Sequence, residues 1–289
     1  MKKATLFLLL FSFCSFMHAQ IRINEFDKDK CNKVEAATGT SMSLDANGNI
    51  YLINGAILYK LDPEGNLLYK YCNYLLGDIR SVDADNPLKV MVFYYNEAKI
   101  VFLDEKLVPI MEPLDLFEKN HNRISLATYS TDNTIWIYDA VLQDLINIDF
   151  HLKELSRTHL TFDDLHPNQL FSLQEKQLVL NNPETGVLFF DAFGTYLKTL
   201  SIQSIDHTVQ VDGTTISYLE SVDVQDWIID GPSSFPCLTT YTYALNSKLP
   251  TLAESVKIAL FPHKMMQVMQ TRTHIYFIDD NLQLNIYSL

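Results

Sequence analysis

The stretch GNIYLINGAILYKLDPEGNLLYKY, Gly48 to Tyr71, holds three short apolar runs parted by two small turns. Each run, Ile50 to Ile53, Ile57 to Asp62 and Asn66 to Tyr71, has the length of a strand and is too short for an ordinary helix. The separators NG and PEG are turn chemistry, because Gly and Asn tolerate positive φ and Pro presets the second position of a turn. Three antiparallel strands therefore follow from this segment alone. What they belong to depends on whether the pattern recurs.

It does recur. Runs ending in or crossing an aspartate appear again as IVFLDEKLVPI from Ile100, INIDFHLKEL from Ile146 and LFFDAFGTYLKTL from Leu188. Their aspartates, with the first at Asp62, are Asp104, Asp149 and Asp191, spaced by 42, 45 and 42 residues. One strand earlier stand IYLI at Ile50, VMVF at Val90, IWIY at Ile135, LVL at Leu178, TISYL at Thr215 and IYFID at Ile275. These are apolar at consecutive positions, as expected of strands covered on both faces. Turn clusters precede several of them: DANGN from Asp45, DADNP from Asp83, STDN from Ser130 and VDG from Val211.

Four short strands per 40 to 45 residues is the arithmetic of a β-propeller blade. The 270 residues after Ala19 divide into six units of 45, so the expected fold is all-β, a six-bladed β-propeller, with seven shorter blades as the alternative. The fifth step, Ile216 to Tyr276, takes 60 residues and predicts an insertion or an irregular blade. The chain ends in LQLNIYSL, the third strand of a last blade, while IRINEF, Ile21 to Phe26, has no blade of its own. The expectation is that Ile21 to Phe26 completes the last sheet and closes the ring, removing open edges.

Residues 1–19 read as a secretory signal: Lys2 and Lys3, an apolar run from Leu6 to Phe13, and a cleavage point after Ala19. Residues 20–289 then form one propeller domain, periplasmic or secreted. Lipidation at Cys14 fits less well, since Phe13 stands where such signals carry Gly or Ala. No later segment is apolar enough to predict a membrane-spanning helix. The formal charge of −13, more negative once the two lysines are removed, opposes nucleic acid and anionic lipid. Cys31, Cys72 and Cys237 remain, which allows one disulfide, with Cys31 and Cys72 a permitted pair, but neither a disulfide scaffold nor a metal knuckle.

The segment SLDANGNIYLING…AILYKLDPEGNLLYK, Ser43 to Lys70, resembles one repeat of the NHL-like six-bladed β-propellers: a turn, a "GNIYV" strand, then "I..FD..G" and a closing strand. The resemblance is at motif level in the first blade and at the level of period elsewhere. Exported propellers of this kind are common in Bacteroidota, and the signal ending HAQ is similar to signals of that group. The resemblance implies a fold and leaves the activity open, since propellers host lyases, lactonases, receptors and scaffolds alike.

Candidate chemistry is sparse. HLTFDDLHP sets His159, Asp163, Asp164 and His166 within eight positions, residue types that ligate metals, although DD followed by HP is also an ordinary turn. DANGN and DADN suggest calcium but lack a full ligand ladder. No nucleophile elbow, P-loop or dinucleotide fingerprint is present, so no cofactor is expected. His121, His166 and His207 fall on crossings between blades. The crossings NYLLGDI, PLDLFEKN and LTFDDL carry Tyr74, Leu76, Leu116, Phe117 and Phe162, where connecting loops are usually polar. If these side chains lie together on one face they form a partner-binding patch; if they tuck between blades they seal the core. The functional expectation is a protein-binding or scaffold module of the cell envelope, with an envelope protein as partner. The Bacteroidota resemblance implies a subunit of an outer-membrane machine such as a type IX secretion apparatus. The alternatives are a lyase or lactonase with a metal at the channel mouth, and a small-ligand sensor using the channel.

Overall fold

In the computed structural model the strands gather into six antiparallel sheets of four, as expected for six blades. The structure describes residues 31–119, 121, 123–173, 177–212, 215–223, 234–242, 255–259 and 265–289. Blade 1 comprises Ser41–Leu44, Ile50–Asn54, Ile57–Leu61 and Leu67–Cys72, from the inner strand outward. Blade 2 is Ser81–Asp83, Val90–Tyr94, Lys99–Leu103 and Leu114–Asp115, and blade 3 is Ile124–Tyr129, Ile135–Asp139, Asp144–Ile148 and Glu154–His159. Blade 4 is Gln169–Leu173, Gln177–Asn182, Gly186–Phe190 and Tyr196–Leu200. Blade 5 is Val209–Asp212, Thr215–Asp223, Ser234–Thr242 and Ser255–Ala259. Blade 6 takes Met265–Gln270, His274–Asp279 and Gln283–Ser288 from the end of the chain and Cys31–Thr38 from its beginning.

The ring thus closes between the two ends of the described chain, but through a different strand from the expected one. Cys31–Thr38 pairs antiparallel with Gln283–Ser288 as the outer strand of blade 6; Ile21 to Phe26 lies outside the described residues, as does the 1–19 signal. Cys72 is a free thiol, so the permitted Cys31–Cys72 bond is not formed. The long fifth step is one irregular blade. Its middle strands have nine residues each and stay paired from Thr215↔Thr242 to Asp223↔Ser234, where the middle strands of the other blades have five or six.

The aspartate series has a common local cause. In Asp62, Asp104, Asp149 and Asp191, Oδ1 accepts hydrogen bonds from the backbone N–H groups two and four residues on, at 2.7–3.1 Å. The residue three on is left-handed each time: Gly65, Leu107, Leu152 and Gly194. The carboxylate fixes the hairpin between third and fourth strands, which is why the residue recurs with the blade. Asp45 does the same in DANGN, bonding Asn47 and Asn49 around the left-handed Gly48.

Between each pair of blades lies one apolar cluster. Blades 2 and 3, for example, meet through Met91, Phe93, Ile100 and Phe102 against Ile124, Ile135, Ile137 and Ile146. Val90, Val92 and Tyr94, the alternate residues of the same strand, face blade 1. Both sides of a blade are therefore core, and this accounts for the consecutive apolar runs.

Inner strands need more, because their axial edge has no further strand to bond. Three glutamines supply it. Gln169 accepts from Val209 N–H at 2.8 Å and donates to its carbonyl at 3.2 Å. Gln210 does the same to Gln270, at 2.7 and 2.8 Å, and Gln267 to Met42, at 2.7 and 3.0 Å. Each carboxamide stands in for the peptide group of an absent strand, and together they link blades 4 to 5, 5 to 6 and 6 to 1.

Candidate functional site on the crossing face

Antiparallel order places the crossings from blade to blade and the hairpins between second and third strands on one face. The crossing from blade 1 to 2 makes a 3-10 turn at Tyr74–Leu76, and that from 2 to 3 another at Leu116–Lys119. In each, a leucine anchors and its neighbours are displayed. Leu76 and Leu116 are buried in the clusters between blades, whereas Tyr74 is 76% exposed, Leu75 92% and Phe117 48%. Phe162 is half-buried against the cluster between blades 3 and 4, its ring edge-on to Tyr196 with centroids 5.0 Å apart. Of the five residues expected to form a patch, two are displayed, two are core and one is a seal.

The displayed residues are held rather than loose. Asn73 Oδ1 accepts from Leu75 N–H at 3.2 Å, Asp115 Oδ1 from Phe117 N–H at 3.0 Å, and Asp139 Oδ1 from Val141 and Leu142 N–H, both at 2.9 Å. Val141 and Leu142 sit in the exposed hairpin of blade 3, and Tyr95 in that of blade 2, which the second crossing touches through Leu116 N–H to the Ala98 carbonyl at 2.9 Å. An arc of apolar side chains on capped turns thus runs over blades 1 to 3. Leu75, Tyr95, Val141 and Leu142 escaped the sequence reading. An Asn or Asp followed two residues later by an apolar residue was the signal for three of the displays, since that is the geometry of the capped N–H.

Under the arc, blade 3 carries a charged network. Arg157 Nη1 donates to the buried Asp144 at 2.6 Å and Nη2 to Glu154 at 2.6 Å, while His159 Nδ1 lies 2.9 Å from Asp144. His121 is buried beside this network; burial, and then the Arg157 guanidinium, hold its imidazole below the ordinary histidine range. His159 is therefore engaged with Asp144, away from the other suggested ligands. Asp163, Asp164 and His166 are exposed, and His166 is tied through its N–H to Asn182 Oδ1 at 2.9 Å. Among the described residues no three His, Cys, Asp or Glu side chains are placed to hold a metal. His207 is also exposed and serves through its carbonyl, which accepts from Asn168 and Asn181. The three crossing histidines stand on three different crossings and do not converge.

The axial channel encloses about 1020 Å³ and every blade contributes polar inner-strand residues to its lining, among them Ser43, Asp83, Thr128, Gln169, Gln210 and Gln267. Asp83 links blades 2 and 3 by accepting from Thr128 Oγ1 at 2.6 Å and Tyr129 N–H at 2.8 Å. Its enclosure raises its pKa against the pull of those bonds. Asp85, at the mouth on the face opposite the crossings, is raised too, by the ring of protein around it and then by Asp83 and by Asp212 of blade 5.

No family profile matches the chain, and no curated protein does. Solved structures do resemble it. The WD40 domain of Neurospora crassa Pan2 aligns at TM-score 0.55 and 9% identity, covering 89% of this chain and 93% of that one. A catalytically inactive virginiamycin B lyase from Staphylococcus aureus, solved with quinupristin, aligns at 0.56 and 12%, covering 92% and 100%. A chain of the mitotic checkpoint complex aligns at 0.56 and 10%, covering 99% of each. At these identities the likeness establishes the β-propeller fold and leaves the function to the site.

Proposed function

We propose that this protein is an exported β-propeller that serves as a protein-binding scaffold in the cell envelope, through the crossing face over blades 1 to 3. The observation that carries the reading is the set of apolar side chains displayed there on side-chain-capped turns. Tyr74, Leu75 and Phe117 are solvent-exposed although each lies within two residues of a well-buried leucine, Leu76 or Leu116. Held apolar and aromatic residues lose little freedom on binding, which is what an interface anchor requires. The checkpoint-complex neighbour lends support, as a chain of a protein complex. The signal-like residues 1–19 motivate the envelope setting, and the type IX apparatus is the particular machine the Bacteroidota resemblance suggests. The test is affinity capture from envelope extracts of the native source with the wild-type protein and the Tyr74→Ala, Leu75→Ala, Phe117→Ala triple variant. A partner retained by the first and lost by the second supports the reading; equal capture by both refutes it.

A second reading, a propeller lyase, draws on the virginiamycin B lyase likeness and on His159, whose Nδ1 side is oriented by the buried Asp144 on the same face. Stoichiometric divalent metal in the purified protein, lost on His159→Ala or His166→Ala, would favour it over the scaffold.

A further inference from the structure

The arc has a charge as well as an apolar character. Asp115 and Asp139, which cap its turns, are matched by Lys99 at 2.6 Å and Arg123 at 3.6 Å. Asp78, Glu97 and Glu118 stand exposed in the same crossings and hairpins, and Glu112 is exposed between the third and fourth strands of blade 2; none of the four is in an ion pair among the described residues. Against them stand Lys119 and Arg80, of which Arg80 lines the channel. Glu112 also walls a groove of about 500 Å³ that runs beside Asn73 between blades 1 and 2. The groove exists because the outer strand of blade 2 is reduced to Leu114–Asp115, with Pro109 and Pro113 breaking the stretch before it.

We infer that the arc receives a segment of a partner protein whose apolar side chains are flanked by lysine or arginine. This rests on the scaffold reading and names the chemistry of the partner. Apolar residues of the segment meet Tyr74, Leu75 and Phe117, and its cations meet the unmatched carboxylates around them. A second copy of this chain fits poorly, because two such arcs face to face would bring like charges together, and an anionic lipid surface is disfavoured for the same reason. Exposed charges of this kind contribute chiefly to encounter and to choice of partner, with the apolar anchors carrying most of the affinity.

The experiment uses the full mature chain and two synthetic peptides with one apolar core, the first flanked by lysines and the second by glutamates. Binding is read by fluorescence anisotropy at low and at high salt. The expected result is a preference of about tenfold or more for the lysine-flanked peptide at low salt, shrinking as salt rises. The Asp78→Lys, Glu97→Lys, Glu118→Lys variant should invert that preference, and the Tyr74→Ala, Leu75→Ala, Phe117→Ala variant should weaken both peptides. Thermal melts confirm that both variants fold, as these side chains are exposed. Equal binding of the two peptides, binding of neither, or self-association abolished by the alanine variant overturns the inference. If envelope capture depends on the alanine set but not on the charge reversal, the inference falls and the scaffold reading stands; if capture depends on neither, both fall.

Discussion

From blade 4 round to blade 1 the inner strands are joined by glutamine carboxamides, each bonding both polar groups of one backbone residue on the next blade. From blade 1 to blade 3 no glutamine does this among the described residues. There the junctions rest on apolar clusters, on Asp83 with Thr128 and Tyr129, and on Lys89 set among the rings of Phe102, Tyr129 and Phe150 at 3.9–5.1 Å. The same half carries the displayed arc. One half is thus tied at the axis by glutamine carboxamides, while the other rests more on packing, with Asp83 as its axial polar tie, and offers apolar surface outside. The lesson is that a repeat fixes where strands fall, while the residues between strands decide which blades display apolar surface.

The sharpest break in this contrast is expected inside a single turn. Leu116→Ala removes a fully buried anchor from the cluster between blades 2 and 3 and should cost about 3 kcal/mol of unfolding free energy. Phe117→Ala, one residue on, should cost less than about 0.5 kcal/mol because its ring is half in solvent. Urea unfolding of the two variants measures the difference directly. Similar costs for both would mean that Phe117 packs rather than displays, and the arc would lose its central member.

On the other half, the counterpart is Gln267→Leu. The shape of the side chain is nearly kept, but the Met42 N–H and carbonyl lose their partners at a site where Gln267 is only 7% exposed. Two buried backbone groups left without partners are expected to cost about 2 kcal/mol. A variant as stable as the wild type would show that water at the channel wall replaces the carboxamide, and that the tie is incidental.

Much of this was legible in the sequence, and the remainder was hidden for physical reasons. Second strands such as Val90–Tyr94 and Ile135–Asp139 could be read because both faces are covered and the positions are apolar in succession, up to the closing Asp139 in the latter. Inner strands such as Ser41–Leu44 and Ser81–Asp83 could not, because they line a polar channel and resemble the turns beside them. The closing strand, CNKVEAAT, reads as polar, while IRINEF has the alternation of a strand. At the candidate site, composition showed that the crossings were too apolar for plain loops. It could not separate Leu76 from Tyr74 or Leu116 from Phe117, since a 3-10 turn sends neighbours to opposite sides and no period reveals which. The glutamine ties were invisible for a different reason: they bond backbone far away in sequence, so no local motif marks them.

The smallest expected effect tests whether the packed half is also the pH-sensitive one. His121 is buried on the second crossing, its N–H bonded to the Leu116 carbonyl at 2.9 Å. The charged groups that face it are Arg157 and Glu154 of the outer strand of blade 3 and Asp139 of the second strand. Burial first, and Arg157 next, lower its pKa, with Glu154 and Asp139 opposing. The unfolded chain therefore binds the proton more readily than the folded one. Its contribution to stability is complete above the ordinary histidine value of about 6.5 and is lost as pH falls from there through the lower folded value, because the neutral imidazole must charge in a buried place beside a guanidinium. His121→Gln should consequently lose less stability than the wild type between pH 7 and about pH 5.5 in paired urea titrations, whatever the offset between them at pH 7. Parallel pH profiles would show that His121 titrates as freely in the fold as in the unfolded chain. The hold on the crossing that displays Phe117 would then be independent of pH in this range, resting on the buried Leu116 and the Asp115 cap.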